Sequence, residues 1–234
     1  MPTFTHTPTG KKVFFAHIPR TAGRYVDANL LWRNNFTWDE IDLDTGNGVM
    51  TVLHGEEIAH WHKDLYEEHL NVKDIPNFSI VRNPVDRFIS GSIYLKRLYG
   101  NDSQEQFEDP HLFFSMIANI PLVDPSFSAN WFRSQVDFMS EETHIWKFED
   151  GLGDQFVSWL SGIIEVVLKF DESVHYISNP DEHIKLELTE KLLHNLVKVY
   201  KKDLEAYYPN HEYTKLAASL QEGAEAKTQT ASTS

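Results

Sequence analysis

The chain has 234 residues, no cysteine, 24% charged and 41% hydrophobic side chains, and a net charge of −14. That length fits one large domain able to bury roughly 70% of its unfolded surface without staples, and the composition excludes a disulfide framework, thiolate metal sites and a cysteine nucleophile. The acidic balance argues against nucleic-acid or anionic-membrane partners, and no apolar run approaches a membrane span of roughly 18 residues. Met1-Pro2-Thr3-Phe4-Thr5-His6 lacks the basic-then-apolar layout of a signal peptide. The expectation is a soluble cytoplasmic protein.

In chain order, Val13-Phe14-Phe15-Ala16-His17-Ile18 reads as a buried strand that Pro19 ends. Thr21-Ala22-Gly23 is a small-residue turn, and Tyr25, Ala28, Asn29, Leu30 and Trp32 suit a following helix. Val49 to Leu53 is a short apolar run read as a strand, followed by His54 and Gly55. Asn77-Phe78-Ser79-Ile80-Val81 is a further strand, with Asn83 as N-cap and Pro84 at the first helical position of the next helix. Phe88, Ile89, Ile93, Tyr94 and Leu98 give that helix its apolar face. Two strand–helix units favour an α/β domain with a parallel sheet.

The stretch 101–125 reads as a surface excursion or lid, with a short helix over His111–Ile120. Thr143 to Phe148 reads as another strand, and Phe156 to Leu168 as helix passing into strand. Apolar residues at helical spacing run from Leu188 to Tyr207. The small, polar composition from Gly223 to Ser234 predicts a disordered tail, leaving residues 1–222 as a single domain.

Charge is unevenly placed. Residues 11–33 hold Lys11, Lys12, Arg20, Arg24 and Arg33, and residues 80–100 hold Arg82, Arg87, Lys96 and Arg97, with only Asp27 and Asp86 against them. A small anionic ligand gripped by both segments would explain this. Pro19 to Arg24 sits between a strand and a helix, where unpaired N–H groups attract phosphate or sulfate. Arg20 and Arg24 add charge and Thr21 a hydroxyl. The G-x-x-x-x-G-K-[ST] phosphate loop is absent. Arg82 follows a strand at the sheet edge where α/β proteins bind ligands, and Ser90 lies eight residues later.

His17-Ile18-Pro19-Arg20-Thr21-Ala22-Gly23 resembles the H-I-P-K-T-G-G loop of sulfotransferases that use 3′-phosphoadenosine 5′-phosphosulfate (PAPS). Phe78 to Ser90 resembles their second motif, with the same order and the same Arg-to-Ser spacing. Similarity continues through Trp131–Gln135, Lys147–Asp150 and Val199–Asp203, and is nearest to the carbohydrate O-sulfotransferases of the heparan sulfate 2-O-sulfotransferase type. The resemblance implies a three-layer P-loop-like α/β fold with a central, mainly parallel sheet flanked by helices. It implies transfer of a sulfuryl group from PAPS to a hydroxyl-bearing acceptor, with adenosine 3′,5′-bisphosphate as product and no metal. On that resemblance Arg20, Thr21, Ala22, Gly23, Arg24 and Tyr25 face the 5′ end of the nucleotide, and Arg82 and Ser90 the 3′ end.

The sequence departs from the pattern where Arg20 replaces the loop lysine and where Arg24 and Tyr25 replace hydroxyl residues. Arginine keeps the charge but cannot give up a proton, so a nucleotide-binding protein with impaired catalysis is the alternative. A phosphoryl-transfer enzyme is disfavoured by the missing phosphate-loop lysine. His54, between the two motifs, is the candidate base for the acceptor hydroxyl, alongside a buried structural reading; Glu56 and Glu57 come next. His17, inside a strand, reads as structural. His60, His62 and His69 with Glu56 and Glu57 invite a metal reading, with Glu56 and His60 on one helix face, but H-E-x-x-H is absent. Trp131 is an acceptor-site candidate. The negative charge points towards neutral glycans or small alcohols as acceptors.

Overall fold

Alternation along Lys12-Val13-Phe14-Phe15 puts Phe15 on one face of a strand and Phe14 on the other. The computed structural model describes residues 3–39, 52–53, 56–100, 118, 124–170 and 188–231. Among these the chain divides into two compact units, Met1–Arg82 with Ser126–Glu182, and Asn83–Pro125 with His183–Ser234, where the length suggests one domain.

The first unit holds a mixed five-stranded sheet. Its strands are β1 (Thr3–His6), β2 (Lys12–Phe15), β3 (Phe36–Trp38), β6 (Asn77–Val81) and β7 (His144–Lys147), in the order β3-β1-β2-β6-β7. The pairs β2–β6 and β6–β7 are parallel, whereas β1 runs antiparallel to both β2 and β3. The expected mainly parallel sheet is therefore half antiparallel, because a strand ahead of the first motif and another behind it extend the sheet on one side. Opposed residues Phe15 and Phe78 stack, with ring centroids 4.8 Å apart.

That face is covered by Val26, Leu30 and Leu31 from the helical segment after the loop, and by Phe156, Val157, Leu160 and Ile164 of α4 (Asp154–Ile164). Burial of so many aromatic and branched side chains supplies the main driving force for this unit. Phe14, on the opposite face, meets Tyr66 of α1 (Lys63–His69) at 4.9 Å, and the Tyr66 hydroxyl donates to the Phe138 carbonyl. A separate two-stranded sheet pairs β4 (Val52–Leu53) with β5 (Glu56–Glu57), followed by a 3-10 turn at Ile58–His60. A short helix α3 spans Phe127–Asn130.

Several expectations shift. The helix after the loop is a π-helical segment, Tyr25–Leu31, that tightens into a 3-10 turn at Trp32–Asn34, and Trp32 is 59% exposed instead of packed. The segment after Ile164 does not continue as a strand: Glu165 ends α4 in the left-handed region, and the Asn34 side chain holds Lys169 through both its N–H and its C=O. One amide side chain thus does the work of a neighbouring strand. Residues 101–117 and 119–123 of the surface excursion, and so all but residue 118 of its His111–Ile120 helix, lie outside the described residues.

The second unit is helical: α2 (Pro84–Gly100), α5 (Glu190–Val199), α6 (Lys201–Tyr207) and α7 (Glu212–Ala231). Asn83 caps α2, its Oδ1 accepting from the Val85 N–H at 3.0 Å, and Thr189 caps α5 through the Leu192 N–H. The periodic stretch 188–207 is two helices broken at Tyr200, which is buried and carries the Arg87 guanidinium over its ring. Helix α7 runs through Gly223 to Ala231, where composition predicts disorder; the intervening Ala, Glu, Lys and Gln are strong helix formers.

Candidate functional site

Both predicted anion-binding segments leave the same end of neighbouring parallel strands. The chain passes from β2 through His17 into the loop, and from β6 into Arg82. Within the first unit the Arg82 Nη1 lies 3.5 Å from the Arg20 carbonyl oxygen, so the two segments meet. The Arg82 guanidinium stacks on the Phe148 ring at 4.7 Å, which fixes its plane.

The loop itself is tightly shaped. Arg20 and Ala22 have φ of 69° and 73°, left-handed values unusual outside glycine. Thr21 is fully buried, and its hydroxyl donates to the Ile18 carbonyl at 2.8 Å. Gly23 is required by contact: a Cβ there would lie 1.8 Å from the His17 Nε2. Arg24 is exposed, and Arg20 partly so.

Two expected donors turn out to be committed elsewhere. The Thr21 O–H donates to the Ile18 carbonyl at 2.8 Å, and the Tyr25 phenol donates to the Leu152 carbonyl at 2.8 Å. Burial raises the Tyr25 hydroxyl above its ordinary range. The part of Tyr25 in this region is to pin the helical segment to residue 152.

Ser90 lies on α2 in the second unit, with its side chain partly buried. Arg87, counted in the basic cluster, is 1% exposed and packed in that unit beside Tyr200 and the buried Asp203. It is an internal cation rather than a surface one. Burial pushes the Tyr200 hydroxyl well up despite the Arg87 charge, while Asp203 pushes in the same upward direction.

His54 lies outside the described residues. The strand leading to it, Val52–Leu53, belongs to the two-stranded sheet, so its proximity to the main sheet's edge does not follow from that strand. Glu56 and His60 do not share a helix face, because Glu56 is in a strand and His60 ends a 3-10 turn. The partner of His60 is Glu57, with Nδ1 to Oε2 at 3.1 Å. Among the described residues no group of three His, Cys, Asp or Glu could hold a metal ion. Trp61 is fully buried, and Trp146 and Trp159 pack on each other at 5.2 Å, as core residues do. Trp131 is partly buried.

Two residues that the motifs did not single out organise the site. Gln135 is fully buried; its Oε1 accepts from the Arg82 N–H at 2.9 Å and its Nε2 donates to the Arg82 C=O at 2.8 Å. This reciprocal pair sets the direction of the chain as it leaves β6. Asn130, also fully buried and left-handed at φ 66°, donates to the His60 carbonyl at 2.9 Å and accepts from the Arg133 Nε at 2.9 Å. The sequence signal for Gln135 was the Trp131–Gln135 similarity, which carries no clue to its partner, and Asn130 lies just outside that stretch. No helix among the described residues is long and apolar enough to cross a membrane.

No curated protein and no solved structure matches the chain. Residues 3–209, spanning both units and every segment just described, match the model of the sulfotransferase family, and the chain belongs to that family.

Proposed function

We propose that the chain transfers a sulfuryl group from PAPS to an acceptor hydroxyl on a carbohydrate or small alcohol, within a three-layer P-loop-like fold. The observation that carries this reading is the meeting of Arg20 and Arg82 beside the tightly shaped Thr21-Ala22-Gly23 turn at the strand ends. Backbone N–H groups and a guanidinium are the donors a phosphosulfate needs, since its charge is spread over several oxygens.

In this mechanism the loop N–H groups and Arg20 hold the 5′ end, and Arg82 binds the 3′-phosphate. His54 takes the acceptor's proton as the hydroxyl oxygen attacks sulfur in line with the leaving phosphate oxygen. Arg20 meets the charge that develops on that oxygen. The chemistry asks for a fixed positive charge rather than a proton donor at this position, because the leaving phosphate is a weak base.

Transfer of label from radioactive PAPS to a panel of alcohols, sugars and peptides tests the reading. A second reading, a nucleotide-binding protein with impaired catalysis, draws on the Thr21 and Tyr25 hydroxyls being committed to Ile18 and Leu152. It predicts bisphosphate binding with no labelled product on any acceptor.

A further inference from the structure

Below the loop lies a row of titratable side chains drawn from three elements. Glu57 sits on β5, His60 ends the following 3-10 turn, and His17 follows β2. The Glu57 carboxylate lies 3.1 Å from His60 Nδ1, and the His60 ring meets the His17 ring edge-on at 4.9 Å. The His17 ring is stacked on Phe15 at 5.2 Å and turns its Nε2 to Gly23, so closely that a Cβ there would collide with it. The Asn130 side chain holds the main chain of His60 as well. The loop therefore rests on His17, and His17 is braced by a ring whose main chain is held by Asn130 and whose Nδ1 faces the Glu57 carboxylate.

We propose that Glu57 and His60 are positioning residues for the anion-binding loop: they hold His17 against Gly23 and thereby fix where the loop N–H groups point. This rests on the loop being the 5′-anion site of the preceding section. Contact without slack is what makes the support effective, since a shift of His17 moves Gly23 directly. Burial also disfavours the charged form of both histidines in the row. Burial lowers both imidazoles from the ordinary value; at His17 the neighbouring His60 and Arg24 lower it further, and at His60 the Glu57 carboxylate works against burial. Glu57 itself is held ionised by its bond to His60.

The test uses the full chain and three probes: adenosine 3′,5′-bisphosphate, adenosine 3′-monophosphate, which lacks the group the loop would hold, and inorganic sulfate. Glu57→Ala and His60→Ala are expected to weaken bisphosphate about tenfold or more, as small misplacements of a binding group do, while leaving the 3′-monophosphate unchanged. Glu57→Gln keeps an oxygen facing the His60 Nδ1 and is expected to restore most of the bisphosphate affinity. Equal loss of both nucleotides, or loss of neither, overturns the proposal in favour of a purely structural row. If wild type binds neither nucleotide but is stabilised by sulfate, and Glu57→Ala removes that stabilisation, the loop support stands and the PAPS reading falls. If none of the three probes binds wild type, both fall.

Discussion

Replacing Gly23 by alanine introduces a single methyl group at the tightest point of the loop. An ideal Cβ would lie 1.8 Å from the His17 Nε2 and 2.4 Å from its Cδ2 and Cε1. Ordinary contact between such atoms is about 3.5–4.0 Å, so ring and loop must separate by well over an ångström. The ring has nowhere easy to go, with Phe15 stacked on one side and His60 at its edge. Overpacking of this kind costs about 1–3 kcal/mol, which in a chain of this length lowers the melting temperature by roughly 2–4 °C per kcal/mol. Gly23 is not among the positive-φ glycines, so the penalty is steric and not conformational. Removing the obstacle should therefore cancel it. In the His17→Ala background the same change is expected to be neutral, or stabilising by about 0.4–1 kcal/mol through the reduced freedom of the unfolded chain. Thermal denaturation of wild type, both single variants and the double variant completes the cycle, with a coupling of about 1–3 kcal/mol expected between the two sites. Additive effects, or a Gly23→Ala protein as stable as wild type, would show that the two residues do not press on each other.

The buried histidines predict acid sensitivity. His17 and His60 both titrate below the ordinary 6.5 when folded, so below that pH the unfolded chain binds more protons than the folded one. Stability then falls on acidification from pH 6.5 towards the folded values, by up to about 1.4 kcal/mol per pH unit for each histidine. Urea midpoints at pH 7.5 and 5.5 should differ in wild type and differ less in His17→Asn. Gln135→Leu removes both bonds to the Arg82 main chain. A loss of about 1–3 kcal/mol in stability is expected, together with weaker bisphosphate binding in calorimetry; unchanged binding would detach Gln135 from the site. Arg20→Ala should slow single-turnover transfer by roughly 10²–10³ while Arg20→Lys changes it little. A faster Arg20→Lys enzyme would show that the leaving oxygen needs a proton.

What could be read from the sequence was what short-range chemistry encodes. The strand Asn77–Val81 and its Asn83 cap were legible because five apolar-rich residues, an N-cap and a proline stand side by side. The third parallel strand, His144–Lys147, was visible for a similar reason. The antiparallel half of the sheet went unread, although Thr3-Phe4-Thr5-His6 does carry the period of two, with Phe4 and His6 buried. Its partner Phe36–Trp38 is only three residues long, too short for a periodicity to show. Hydroxyl directions were beyond reach: the partner of Tyr25 is 127 residues away. The Glu56–His60 pairing failed because it assumed helical spacing across a strand and a 3-10 turn, where the nearer Glu57 is the residue that reaches the ring.

The left-handed backbone at Arg20 and Ala22 has a kinetic consequence. Each residue is held about 1–2 kcal/mol above the right-handed alternative, and folding bears that cost before any nucleotide arrives. On the proposed reading, an anion entering the loop would meet a backbone already shaped, so no ordering step slows its capture. Association should proceed at the rate of diffusional encounter, and differences in affinity among variants of this loop should be found in how long the ligand stays. Ala22→Gly would relieve the strain at that residue and, by loosening the loop, shorten that residence.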